Sequence, residues 1–251
     1  MDQIQPSDRD RPDQPTAPVG LTIPPGRAVR LLLAISLAFI AIDVAFQVVD
    51  DLVAPAIPGW ETAAIILDAD SEASLPTWWG IILLLLCALA SAGAALTEFK
   101  HRLRRYWWSL ATIFLLLSAD EQAMVHEHLI VPLRDRFGLG GVLFYAWVAP
   151  ALVAVAVLVV IYARFVFRQP PPVRNLLIVS AALFLSGALG LEMLGGWWTE
   201  NRSDTELAYQ MITSVEELLE FTGATLYVYA VLCLLHRRGS SLRFAVGDAH
   251  G

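Results

Sequence analysis

The chain has 251 residues, of which 57% are apolar and 16% charged, with a formal net charge of −7. A water-soluble domain of this length needs far more charge on its surface, so an ordinary globular protein is excluded from the outset. Cys87 and Cys233 fall in separate apolar runs and read as small buried hydrophobes, not as a disulfide framework or a thiolate metal site.

In chain order, residues 1–26 are rich in Pro and Asp and predict a disordered cytoplasmic tail, because so little apolar surface cannot offset the entropy of ordering. They show no signal-peptide pattern, so the first apolar run is expected to remain as an anchor. A transmembrane domain is expected over 27–236, with six apolar spans at 30–49, 77–97, 107–128, 142–166, 175–198 and 209–235. A short cytoplasmic tail, 237–251, should follow. The pairs Trp78–Trp79, Trp107–Trp108 and Trp197–Trp198 mark headgroup borders, which suit amphipathic rings. Spans two and four contain no internal acid and are expected to form an outer wall, with "ALASAGAA" (88–95) as a packing face and Pro150 as a bend.

The basic residues set the direction. Arg9, Arg11, Arg27, Arg30, Lys100, Arg102, Arg104, Arg105, Arg164, Arg168, Arg174, Arg237, Arg238 and Arg243 fall on one side, and only Arg134, Arg136 and Arg202 on the other. This alternation predicts an all-α polytopic bundle of six transmembrane helices with both termini cytoplasmic. The 51–76 connection holds Asp51, Glu61, Asp68, Asp70 and Glu72 with no Lys or Arg and should face outward. Topology accounts for the basic clusters, so they give no reason to invoke nucleic acid.

Direction converts position into depth. Asp43 lies roughly 20 Å above Arg30, Asp120 and Glu121 roughly 20 Å above Trp107, Glu192 roughly 27 Å above Arg174, and Glu220 roughly 24 Å above His236. Four helices thus bring acids to one level in the outer half of the membrane. Their faces agree too. Glu216, Glu217 and Glu220 share a third of span six, with Tyr227 extending the stripe; Asp43, Gln47 and Asp50 align on span one. On span three, an unbroken helix groups Asp120, Glu121, Glu127 and His128 and turns His126 away. No span carries a Lys or Arg at this depth. An unpaired charge at mid-membrane costs roughly 2.5–3.5 kcal/mol even on the lenient insertion scale, so protons, a cation or water must balance these carboxylates.

Carboxylate plus imidazole suits iron, manganese or zinc. The candidate metal ligands are Asp120, Glu121, His126, Glu127, His128, Glu192, Glu216, Glu217 and Glu220, with Asp43, Gln47 and Tyr227 as candidates for a supporting role. Neither H-E-x-x-H nor a repeated E-x-x-H occurs, and no phosphate loop calls for a nucleotide cofactor. "LSADEQAMVHE" (117–127) followed by "EELLE" (216–220) resembles uncharacterised bacterial multi-pass membrane proteins with paired S-x-D-E-x(4)-H-E and E-x-x-E motifs. That resemblance implies no established activity, and it points to Asp120, Glu121, His126, Glu127, Glu217 and Glu220. It favours His126 where the helical wheel favours His128; a local bulge near the end of span three would turn His126 inward.

Three functions fit this pattern. The first is a metal-dependent membrane enzyme, an oxidoreductase or hydrolase with a mono- or dinuclear site acting on a lipid-soluble substrate. The second is a proton- or cation-coupled transporter or channel using the same acids. The third is a non-catalytic protein with a structural polar core. The gathering of acids at one depth favours the first. The bilayer and a lipid-soluble substrate or cation are the partners implied, and no oligomeric state is.

Overall fold

The computed structural model describes residues 24–53 and 57–239, and there is no strand among them. The expected tails, 1–26 and 237–251, lie outside the described residues except for 24–26 and 237–239. The helices are α1 (Pro25–Val53), α2 (Trp60–Leu67), α3 (Leu75–Leu96), α4 (His101–Ala123), α5 (Val125–Phe137), α6 (Val148–Phe167), α7 (Pro171–Leu185), α8 (Glu192–Asn201) and α9 (Leu207–Arg237). Ser186–Leu191 forms a π-helical turn that joins α7 and α8 into one continuous rod, Pro171–Asn201.

Five of the described helical segments are long and apolar enough to cross a membrane: α1, α3, α6, the α7–α8 rod and α9. These point to a membrane protein. The remaining expected span, the third (107–128), corresponds to α4, which is of similar length at 23 residues. Charge at both its ends, Arg102, Arg104 and Arg105 at the start and Asp120 and Glu121 at the finish, dilutes its hydropathy. Large apolar side chains stand exposed along α1, α4 and α6, among them Leu31, Leu37, Leu115, Leu116, Val153 and Val160. Water would penalise such a belt, and lipid does not.

Contacts between remote residues sort the helix ends into two groups. At one end Asp43 of α1 meets Ala69 and Ser214, and Tyr145 meets Thr199 and Tyr209. At the other end Trp107 of α4 packs on Phe165 of α6, and Arg238 bonds Thr97 and pairs with Glu98. Successive long helices therefore run in opposite directions.

Helix α9 is central and packs against α1, α3 and α7. Small residues permit this. A Cβ on Gly223 would lie 2.7 Å from the Phe184 backbone nitrogen and 2.9 Å from its Cα, so glycine alone fits where α9 crosses α7. Ser180 Oγ donates to the Gly223 carbonyl (2.8 Å) at the same crossing. The "ALASAGAA" stretch likewise packs closely, but it places α3 inside the bundle and not in an outer wall: Ala88, Ala90, Ser91, Ala94 and Ala95 are all buried. Small side chains let three backbones converge, and that buries the helix carrying them. The peripheral helix is α6, where only Val148 and Phe165 are buried. Pro150 lies in its first turn, where a missing N–H costs nothing and no bend is needed.

Candidate functional site

The site is assembled by three local features, beginning with the loop between α2 and α3. Buried Asp43 accepts from Gln47 Nε2 (2.8 Å) and the Ala69 backbone N–H (3.1 Å) through Oδ1, and from the Ser214 hydroxyl (2.7 Å) through Oδ2. One carboxylate thus ties α1, α9 and the loop together. Three residues beyond the loop, the Thr77 hydroxyl donates to the Ser71 carbonyl (2.7 Å), while Ser74 caps α3 by accepting from the Thr77 N–H (3.2 Å). Asp70 and Glu72 are held between these anchors.

The second feature is the break between α4 and α5. Met124 adopts the left-handed conformation (φ 52°), which costs a non-glycine residue about 1–2 kcal/mol. Asp120 offsets that cost. Its Oδ1 accepts from the His126 backbone N–H (3.3 Å), capping the new helix, and its Oδ2 meets His126 Nδ1 (2.8 Å). The break supplies the inward rotation of His126 that an unbroken helix denies it. His126 then stands edge-on to Trp147 (4.9 Å between centroids) with Nε2 3.7 Å from Glu127 Oε1.

The third is the π turn. Its wider winding shifts the register of the rod just before Glu192, which accepts from Trp147 Nε1 (2.7 Å); such turns recur at functional sites. Gly187 within it allows α9 to approach, since a Cβ there would lie 2.7 Å from the Glu216 carbonyl and 2.9 Å from Glu220 Cγ. Gly190, by contrast, faces open space.

Together these features enclose a cavity of about 150 Å³. Asp70, Glu72, Asp120, Glu121, Glu127, Glu192, Glu216, Glu217 and Glu220 all line it, with Trp147, Thr77, Thr213 and a few apolar side chains. Among the described residues, His126 is the one lining side chain able to carry positive charge. Glu72, His126 and Glu127 each offer a ligand atom, and these atoms lie within 4.8 Å of one another. Below, the acids rest on Leu83, Leu84, Phe221 and Ala224. In the loop outside the helices, desolvation between the cavity walls and then the negative charges of Asp68, Glu127 and Glu72 push the Asp70 carboxyl up to about 7. Desolvation and Glu127 raise Glu72 as well.

Of the residues expected from sequence, Asp120, Glu121, His126, Glu127, Glu192, Glu216, Glu217 and Glu220 all line this one cavity. Four do not. His128 is exposed, with Nδ1 against the Met124 carbonyl (2.5 Å), because the break at Met124 gives the inward position to His126. Asp43 and Gln47 are paired with each other and with Ser214 beside the cavity. Tyr227 is buried beneath it, bonded to Ser91 (2.6 Å) and packed on Phe114. Asp70 and Glu72 were expected only in an outward-facing connection, and Trp147 not at all. The signal for the two acids was present: "LDADSEAS" (67–74) carries three acids and no cation, directly before a helix that leads into the basic stretch 100–105.

No curated protein and no solved structure matches the chain. Residues 27–234 match the model of a domain of unknown function, DUF8692, in keeping with the resemblance to an uncharacterised family. The chain belongs to this DUF8692 family.

Proposed function

We propose that this is a six-span protein of a bacterial inner membrane, with both termini cytoplasmic, whose cavity holds one or two divalent cations and serves an enzyme acting on a lipid-soluble substrate. The observation that carries the reading is the convergence of Glu72, His126 and Glu127 within 4.8 Å. Asp120 is a positioning residue in this scheme. By holding Nδ1 at 2.8 Å it fixes the tautomer and presents Nε2 to the cavity, as the outer partners of metal-bound histidines do. The remaining carboxylates, Glu121, Glu192, Glu216, Glu217 and Glu220, offer the hard oxygen ligands that iron, manganese or zinc accept beside imidazole. The cation would supply Lewis acidity or oxygen chemistry, while the protein's own groups bind it, orient His126 and exclude solvent from below. The alternating direction of the long helices supports the six-span topology as well, and α4 brings Asp120 and Glu121 to the other acids.

The transport reading is supported less well. Directly beneath Glu217 and Glu220 lie Leu83, Leu84 and Phe221, and deeper on the same helix the Tyr227 hydroxyl is taken up by Ser91. Elemental analysis of protein purified without chelators is the test. A stoichiometric divalent ion, lost in Glu127→Gln and in His126→Ala but not in His128→Ala, supports a metal centre. A metal-free protein that carries proton or cation flux in proteoliposomes, abolished by Glu217→Gln, overturns it in favour of transport. If both are absent and Glu121→Gln only lowers thermal stability, the acids are structural.

A further inference from the structure

Helix α6 is fastened to the bundle at its two ends and buried nowhere between them. Val148 is buried at one end; at the other, Phe165 sits 5.0 Å from the rings of both Tyr106 and Trp107. From 149 to 164 not one side chain is fully buried, although Ala151, Val155, Leu158 and Tyr162 form the stripe at helical spacing that faces the bundle and are mostly covered. At the helical rise this stretch is about 24 Å long. Helix α4 meets this stretch through the Ser109 and Tyr162 hydroxyls (2.6 Å); Leu116, two turns beyond Ser109 on the same face, is 63% exposed, and Leu115 beside it 53%. Leu117 belongs to both surfaces, for it is 37% exposed and also lines the acid cavity. The cavity wall continues through Phe184 and Ala188 on the α7–α8 rod. A peripheral helix in a closed bundle seals its inner stripe, and α6 leaves it incompletely sealed alongside a cavity whose wall reaches the outer surface at Leu117.

We propose that the space between α4 and α6 is a lateral portal that holds the hydrocarbon chain of a single-chain lipid, with its uncharged polar head among the acids of the cavity. The inference rests on the reading of that cavity as the reacting site and adds the class of substrate. Continuity of the apolar groove with the cavity at Leu117 selects a molecule that is apolar along its length and polar at one end. Charge selects the head. Nine carboxyl groups with His126 as the only basic partner repel a phosphate or carboxylate, whereas a hydroxyl or carbonyl oxygen can enter and meet either a carboxyl proton or a bound cation.

The test uses the full-length protein in phosphatidylcholine vesicles containing a long-chain alcohol with a diazirine in mid-chain, and in parallel the corresponding long-chain phosphate. After irradiation the labelled peptides are mapped by mass spectrometry. The alcohol should label the inward stripe of α6 and the Leu116–Leu117 region several-fold more than outward Val153 and Val160. That labelling should fall several-fold in Leu117→Trp and in Val155→Trp, but not in Val153→Trp. Two variants on different helices guard against a folding defect in either one. Equal labelling around α6, unmoved by the tryptophans, would mean surrounding bilayer lipid only and overturns the portal. Labelling by the phosphate as strong as by the alcohol overturns the assigned head. Metal content of the same samples separates the two ideas. Portal labelling in a metal-free protein supports the portal while removing the metal reading, and uniform labelling of a metal-loaded protein does the reverse.

Discussion

Gly187→Ala places one methyl group where the π turn meets α9, and the structure sets its cost. The added Cβ would start 2.7 Å from the Glu216 carbonyl oxygen, 2.9 Å from Glu220 Cγ and 3.3 Å from Leu219 Cβ, whereas ordinary contact begins at 3.4 Å. The nearest of these is backbone, so no rotamer change relieves it, and α9 must retreat by about 0.7 Å. Overpacking of this kind costs about 1–3 kcal/mol, from which the usual helical advantage of alanine, about 0.5–1 kcal/mol, is recovered. The expected outcome is a net loss of about 0.5–2 kcal/mol, seen as a lower midpoint when unfolding in detergent is followed by tryptophan fluorescence. Bound divalent ion should weaken with it, because Glu216 and Glu220 move with the backbone. Gly190→Ala is the control: it lies in the same turn, meets nothing within 4 Å, and should be neutral or slightly stabilising. Equal destabilisation by both variants, or none by Gly187→Ala, would refute the claim that this glycine sets the approach of α9 to the site.

Three further outcomes follow from the same geometry. Asp43→Ala leaves the Ala69 N–H and the Ser214 hydroxyl without their acceptor, so stability should fall by about 1–3 kcal/mol; proteolysis should then cut the 68–74 loop faster, and unchanged cleavage counts against Asp43 as its anchor. Asp120→Asn keeps an oxygen to cap α5 but no longer fixes the His126 proton, so metal affinity should fall about 10–100-fold with little change in melting; equal loss of both would indicate a merely structural role. With divalent ions removed, Asp70 at about 7 and the raised Glu72 bind protons that the unfolded chain releases near pH 4. Their stabilisation is therefore full below that pH and is lost as pH rises through 7. Thermal scans of the ion-free protein at pH 5 and pH 8 should show the lower midpoint at pH 8, and added metal should narrow the gap. A midpoint that rises with pH contradicts the assignment.

Long apolar periodicity made α1, α3, α6, the α7–α8 rod and α9 legible before any coordinates, and residue counting brought the acids of four helices to one depth. Side-chain orientation was less legible, because it turns on single-residue changes in winding. A continuous wheel through span three puts His128 inside; one left-handed residue at Met124 reverses the choice. Nothing in "EQAMVHE" favours that break on its own, since methionine is an ordinary helix former. It is tertiary, sustained by Asp120 capping the next helix. Asp70 and Glu72 were missed because a charged connection reads as solvent-facing. Its return into the cavity depends on Asp43, a long-range partner that local pattern cannot reveal. The interior place of α3 was misread for a related reason: a run without acids resembles a lipid-facing wall unless the weight of its small residues decides the matter.

The π turn at Ser186–Leu191 has a consequence for how this segment tolerates length change. Removing one residue there would let the rod relax into ordinary winding with everything after it on nearly the same face, because the wider turn holds about one residue more than an α turn does. Glu192 would keep facing the cavity and Gly196 its seat against Tyr145, whereas a deletion in the α-helical part of the rod before the turn would swing both by about 100°. A deletion in the polar turn at 203–206 would merely shorten a surface link. The spare residue in mid-membrane works as slack in the helix's winding, so a one-residue deletion inside the turn should be far better tolerated than one elsewhere in the rod.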